Sequence, residues 1–263
     1  EKKAQTAPTM ANRLLALISR MFNFALERDW VTTNPAQRIT KPGAETSRDR
    51  VLTDDEIRTV WTLLEAEADD DPIINRRVAA AFTLRLMTAQ RGAEVIRMRW
   101  ADLDLEAGWW TIPPEMTKNG EQHRVPLSKP AVALLTTLRA AAAPAAIYVF
   151  PALRRPKDKA ERPAVDLHKK MGVALTSALG GTIRPHDLRR TAATRMAAAG
   201  VARISISYLL NHVDGGPRST LVYDRFERDP EKRTAMETWA RSLTAILTAK
   251  PATGKVLPMR GAR

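Results

Sequence analysis

Six side chains able to handle a phosphate or a proton fall where helices begin or turn tips project: Arg91, Lys118, His186, Arg189, His212 and Tyr223. Most of them are cations, or become so on protonation. In His186-Asp187-Leu188-Arg189 the i,i+3 spacing puts an imidazole and a guanidinium on one helix face, where both could hold the same phosphate. The same pair also occurs on solvated helix faces and in cap arrangements. No single one of these residues fixes a function.

The elements that must position them are mostly helical. Apolar residues recur at helical spacing from Met10 to Trp30, and Asn34-Pro35 marks the stop. Pro42, Gly43 and the polar run to Arg50 read as a linker. Thr53-Asp54-Asp55-Glu56 is a capping box that opens a helix with Ile57, Val60, Trp61 and Leu64 inward. Ile73 to Met87 reads as a buried helix, interrupted at Ala89-Gln90-Arg91-Gly92 before Ala93 to Trp100 continues helically, so Arg91 sits near a helix start. Trp109 to Ile112 and Gln122 to Leu127 are β-prone and joined across Asn119-Gly120, a strong hairpin signal that leaves Lys118 at the tip. Helices are then expected from Lys129 through Leu138, Val165 to Leu179, His186 to Ala199, Ile204 to Leu210 and Ser219 to Phe226. Asp229-Pro230 opens the last one. The fold class is therefore mainly α with one small antiparallel sheet.

Composition narrows the classes. The chain of 263 residues has 42 Lys and Arg against 29 Asp and Glu, a formal net charge of +13, which suits a polyanionic partner such as duplex DNA. It has no cysteine and four histidines, so disulfides and thiolate metal sites are excluded. Glu1 to Pro8 lacks the layout of a signal peptide and no apolar run is long enough for a bilayer, so a cytoplasmic protein with no membrane partner is expected. The region before Val51 reads as the end of a truncated helical lobe, because one helix and a short tail cannot bury their own apolar face.

The order of the motifs adds what no residue supplies alone. Thr88-Ala89-Gln90-Arg91-Gly92-Ala93-Glu94-Val95, Thr117-Lys118-Asn119 in a hairpin, Pro185-His186-Asp187-Leu188-Arg189-Arg190-Thr191, Leu209-Leu210-Asn211-His212 and Leu221-Val222-Tyr223-Asp224-Arg225 follow one another along the chain. In order and approximate spacing this resembles the tyrosine recombinases, in particular the integrases of satellite phages and integrative elements, over nearly the whole sequence. The resemblance implies residues 1–46 as the end of a core-binding domain with its linker, 47–249 as the catalytic domain and 250–263 as a basic, disordered tail. It implies Tyr223 as nucleophile, Arg91 and Arg189 as phosphate clamps, Lys118 as general acid, and His186 and His212 as proton-handling and phosphate-binding histidines. Glu94 would orient the Arg91 region. It also implies a tetramer of protomers on two DNA attachment sites, with monomers in isolation and DNA-bending accessory proteins, in a bacterial or phage-encoded, nucleoid-associated setting. One departure is visible: Ala89 stands where the family usually has Gly.

The chemistry fits that set. A free Tyr has a pKa of about 10 and is protonated at neutral pH, so it needs activation. Neighbouring Arg and His cations favour the phenolate and stabilise the extra charge of a pentacoordinate phosphorane. Expulsion of a poor 5′-alkoxide calls for an acid such as Lys118. Neither metal, cofactor nor ATP is required. Three rivals share parts of this pattern: a type IB topoisomerase, a metal-dependent nuclease using acidic residues such as Asp69-Asp70-Asp71, and a non-catalytic basic DNA-binding protein. Trp109-Trp110 is expected to pack the sheet against helices, and Tyr148 and Tyr208 to be core residues.

Overall fold

The computed structural model describes residues 6–44, 49–65, 76–152, 160–165, 167–181, 183–212 and 228–249. The chain divides into two compact units, residues 1–49 and 50–263. Asp69-Asp70-Asp71, the expected helix at Ser219 to Phe226 and the expected tail lie outside the described residues.

In the first unit, α1 spans Pro8–Leu26, with Pro8 in its first turn where a missing N–H costs no bond. It ends earlier than the apolar spacing suggests, because Asp29 takes a left-handed φ of 56°. The N–H groups of Asp29 and Trp30 then close on the carbonyls of Leu26 and Ala25, a Schellman termination. Two asparagines pin the following loop. Asn34 Nδ2 donates to Ser19 O at 3.0 Å and to Asn23 Oδ1 at 2.6 Å. Asn12 and Gly43 exchange two bonds, at 2.7 and 3.1 Å.

The second unit is built round α3 (Arg76–Thr88), which is buried on nearly every face, including Val78, Ala81, Phe82, Leu84 and Leu86. Helix α2 (Asp54–Glu65) packs on it. The capping box is realised: Glu56 Oε2 accepts from the Thr53 N–H at 2.9 Å and Thr53 Oγ1 from the Glu56 N–H at 3.2 Å. Around the same core lie α4 (Gly92–Ile96), α5 (Lys129–Ala140), α6 (Leu167–Leu179), α7 (Pro185–Ala198), α8 (Arg203–Leu209) and α9 (Asp229–Thr248). The last carbonyls of a helix lack intrahelical partners, and buried Trp239 of α9 supplies one, its Nε1 donating to Leu86 O at 2.9 Å.

The sheet has the order β1-β2-β3, all antiparallel, with β1 at Leu103–Asp104, β2 at Trp109–Ile112 and β3 at His123–Pro126. Trp110 faces Val125 and Ile112 faces His123 across β2 and β3, so the period of two places all four side chains on the core face. Trp109 and Trp110 are both buried, as packing residues. The guanidinium carbons of Arg124 and Arg233 lie 4.4 and 4.7 Å from the Trp109 ring. Tyr148 and Tyr208 are half-buried rather than core.

Helix α4 stops at Ile96, short of the expected Trp100. Arg99 bridges Tyr148 in a strand-like pair, and Met98 O accepts from the Val149 N–H at 2.9 Å. That pairing removes 98–100 from helix, a tertiary override of local propensity. Among the described residues no helix is long and apolar enough to cross a membrane.

Candidate active site

The short helix α8 ends in a Schellman motif: Asn211 adopts φ 50°, its N–H donates to Tyr208 O at 3.2 Å, and the His212 N–H donates to Ser207 O at 3.0 Å. Asparagine tolerates this left-handed conformation. Beyond the last turn, the carbonyls of residues 209–211 need outside donors. Each is met by side chains from distant stretches of sequence. Leu209 O accepts from Gln90 Nε2 at 2.9 Å and from His123 Nε2 at 3.1 Å. Leu210 O accepts from Arg189 Nη2, and Asn211 O from Arg91 Nη2 at 3.3 Å. The end of α8 is thus the point at which α4, α7 and β3 meet.

Arg91 is the N-cap of α4, with extended backbone. Glu94, one turn on and buried, accepts from the Arg91 N–H at 2.9 Å through Oε2 and from its guanidinium Nη1 at 2.9 Å through Oε1. One carboxylate therefore fixes both the helix start and the Arg91 side chain, which stays a quarter exposed.

Arg189 lies on α7 and is only 3% exposed. Its Nη1 donates to Ala89 O at 2.8 Å, and its Nη2 lies 3.4 Å from His212 Nε2. Burial, and then the charge of Arg91, pull its pKa down to about 10, with Glu94 opposing. It stays cationic at neutral pH. Ala89 presents that carbonyl from a left-handed turn of φ 57°, so the alanine adopts the conformation that glycine takes more readily. Asp187 anchors the start of α7, its Oδ2 accepting from the Arg184 N–H at 2.9 Å and its Oδ1 from Arg190 Nη1 at 2.9 Å.

The histidines differ in environment. His186 is exposed on the first turn of α7, and its pKa is lowered by partial desolvation and then by the charges of Arg85, Arg189 and Arg190, with Asp187 opposing, so the ring is biased to the neutral, proton-accepting form. His212 is exposed and reaches Arg189. His123 is buried, and burial foremost lowers its pKa to about 3. A neutral ring whose Nε2 faces a carbonyl must carry its proton on Nε2. Lys118 is exposed on the loop between β2 and β3.

The structure therefore brings Arg91, Glu94, Arg189 and His212 together in direct bonds, with His186 electrostatically coupled to Arg189. Tyr223 lies outside the described residues. Two positioning residues, Gln90 and His123, were not singled out from sequence. For His123 a signal existed: it alternates with Val125 and Leu127, which places it on the apolar face. Among the described residues no group of three or more His, Asp or Glu could hold a metal ion.

The profile of the phage integrase family matches residues 50–225. The chain is 29% identical over 256 residues to the prophage integrase IntZ of Escherichia coli (strain K12), covering 94% of this chain and 58% of that protein. It is 29% identical over 167 residues to the prophage integrase IntA of the same strain, covering 64% of this chain and 39% of that protein. The chain thus spans between about two fifths and three fifths of the length of these relatives. Its fold is similar to that of lambda integrase in a tetramer bound to a Holliday junction, with a TM-score of 0.60, 17% identity, and coverage of 82% of this chain and 62% of that one. With the family profile spanning most of the second unit and the arginine, glutamate and histidine cluster lying inside it, the chain belongs to the phage integrase family.

Proposed function

We propose that this chain is the catalytic part of a site-specific DNA recombinase that cuts and rejoins duplex DNA through a 3′-phosphotyrosine bond at Tyr223, integrating or excising a mobile element. The observation that carries the reading is the convergence of Arg91, Arg189 and His212 at the end of α8. The chain runs on from there toward Tyr223.

Arg91 and Arg189 hold two oxygens of the scissile phosphate, with His212 as a further donor. The Tyr223 oxygen attacks phosphorus and its proton passes to neutral His186. The bond from phosphorus to the 5′-oxygen breaks, and Lys118 delivers a proton to that oxygen. The products are a 3′-phosphotyrosine and a free 5′-hydroxyl, and a 5′-hydroxyl of another strand reverses the steps without ATP. Tyr223 is given this role by the resemblance of Leu221-Val222-Tyr223-Asp224-Arg225 to the nucleophile motif of the family.

The partner is double-stranded DNA, as the net charge of +13 favours. A tetramer pairing two attachment sites, as in the lambda integrase assembly on a Holliday junction, is the proposed working form. Residues 1–46 are proposed as the end of a core-binding domain and 47–249 as the catalytic domain.

A nicked duplex selected from a randomised pool by binding to this protein tests the proposal, since loss of the short strand past the nick traps the covalent step. A denaturant-resistant protein–DNA adduct should form in the presence of EDTA and be lost in Tyr223→Phe. An adduct that survives Tyr223→Phe refutes the assignment, and plasmid relaxation independent of the selected site would favour a topoisomerase.

A further inference from the structure

Lys118 sits on a loop that has few ties to the rest of the fold. Thr117 Oγ1 bonds internally, to Pro114 O at 3.0 Å and Glu121 O at 2.8 Å. Among the described residues, the hydrogen bonds that leave residues 117–120 for another element are two, and both go to one side chain. Asn119 Nδ2 donates to Asn211 Oδ1 at 3.0 Å, and Asn211 Nδ2 donates to Asn119 Oδ1 at 3.2 Å. This reciprocal amide pair links the neighbour of Lys118 to the neighbour of His212.

The backbone at Asn211 does not explain the side chain. A left-handed φ of 50° is met by glycine at less steric cost, so what asparagine adds at this position is its amide. The same residue's carbonyl accepts from Arg91. One residue therefore ends α8, receives a clamp arginine and holds the hairpin tip. An amide pair suits such a joint: both groups are neutral at every working pH, each offers N–H donors and a carbonyl acceptor, and the geometry fixes direction as well as distance.

We infer that Asn119 and Asn211 form a latch that holds the hairpin tip against the end of α8 and so positions Lys118 for proton delivery to the leaving 5′-oxygen. The inference rests on the reading of Lys118 as general acid. Both asparagines are positioning residues, acting through Lys118. A loop released from this contact samples many placements of the ammonium, and a general acid, worth about 10²–10⁴ in rate when placed, loses part of that factor.

Leaving-group chemistry separates this role from a merely structural one. Two selected nicked duplexes are compared, one with an ordinary scissile phosphodiester and one with sulfur replacing the bridging 5′-oxygen. In both, the tyrosine oxygen bonds to phosphorus. The first expels an alkoxide that must be protonated, the second a thiolate whose conjugate acid has a pKa of about 8.5, which leaves without a proton. Lys118→Ala should form adduct slowly on the oxygen substrate and at near wild-type rate on the sulfur one. Asn119→Ala and Asn211→Gly should each be slowed roughly tenfold or more on oxygen and restored on sulfur, and the double variant should be no slower than either single one. Asn211→Gly keeps the left-handed turn, and an unchanged melting temperature shows that the fold is intact.

If Lys118→Ala is restored by sulfur while both asparagine variants stay slow on both substrates, or match wild type on both, the latch is refuted and the acid assignment stands. If Lys118→Ala is equally slow on both substrates, the acid assignment itself is overturned, and the inference with it.

Discussion

Arg189 and Lys118 bring the same charge to the site by opposite means. Arg189 is 3% exposed, and its guanidinium is anchored by the carbonyls of Ala89 and Leu210 and by His212. Lys118 is exposed, on a loop whose polar ties to another element, among the described residues, are the two bonds between Asn119 and Asn211. A buried charge must be paired with acceptors or it unfolds its surroundings, so the deep side of the site is inseparable from the stability of the fold. The shallow side is not. On the proposed mechanism, a group that reaches a leaving oxygen and withdraws can be held lightly, whereas a group that keeps a phosphate in register cannot.

Acid makes the deepest break. His123 stays neutral in the folded protein down to a pKa of about 3, whereas an unfolded chain protonates it near 6.5. The unfolded state therefore holds the extra proton between those values. The stability from this group is complete above pH 6.5, falls as the pH drops through the window, and levels off below about 3. The loss is on the order of 5 kcal/mol, because each pKa unit is worth about 1.4 kcal/mol. His186, shifted in the same direction, adds to it. Melting temperatures measured across the range should fall with pH, and less steeply in His123→Gln, whose amide can still donate to Leu209 O. An equal slope in that variant would separate the acid sensitivity from His123.

The comparison predicts a dissociation between two substitutions of cations. Arg189→Ala removes the donor to two buried carbonyls and should cost about 2–4 kcal/mol of stability together with adduct formation. Lys118→Ala should move the melting point by no more than a surface substitution does, within about 0.5 kcal/mol, while still slowing cleavage of the ordinary phosphodiester. Equal losses of stability in the two would mean that the tip is as structural as the buried arginine.

Local signals made much of this legible. The capping box at Thr53 to Glu56 and the Asn119-Gly120 turn are short-range patterns, and the structure realises both the cap and the hairpin. Arg91, Glu94, Arg189 and His212 were recognisable from the order of their motifs, and they converge. What escaped was long-range. Gln90 and His123 reach Leu209 across 119 and 86 residues, and nothing in their own neighbourhoods announces that carbonyl. The β1 strand, two residues long, is too short for alternation to register. The amide pair of Asn119 and Asn211 joins positions 92 apart.

The smallest effect belongs to the turn that feeds the deep side. Ala89 sits at φ 57° with its side chain fully buried and its carbonyl accepting from Arg189. A left-handed alanine costs about 1–2 kcal/mol relative to its right-handed form, a penalty that glycine escapes. Against this, glycine loses more backbone freedom on folding, by roughly 0.5–1 kcal/mol, and deletes one packed methyl. Ala89→Gly should therefore be close to neutral, within about 1 kcal/mol on either side, with Arg189 still bonded and cleavage preserved. Denaturant unfolding and adduct formation read both quantities. A loss of several kcal/mol would mean that the methyl, rather than the carbonyl alone, keeps the Arg189 contact closed, and that the clamp on the deep side depends on packing at this turn.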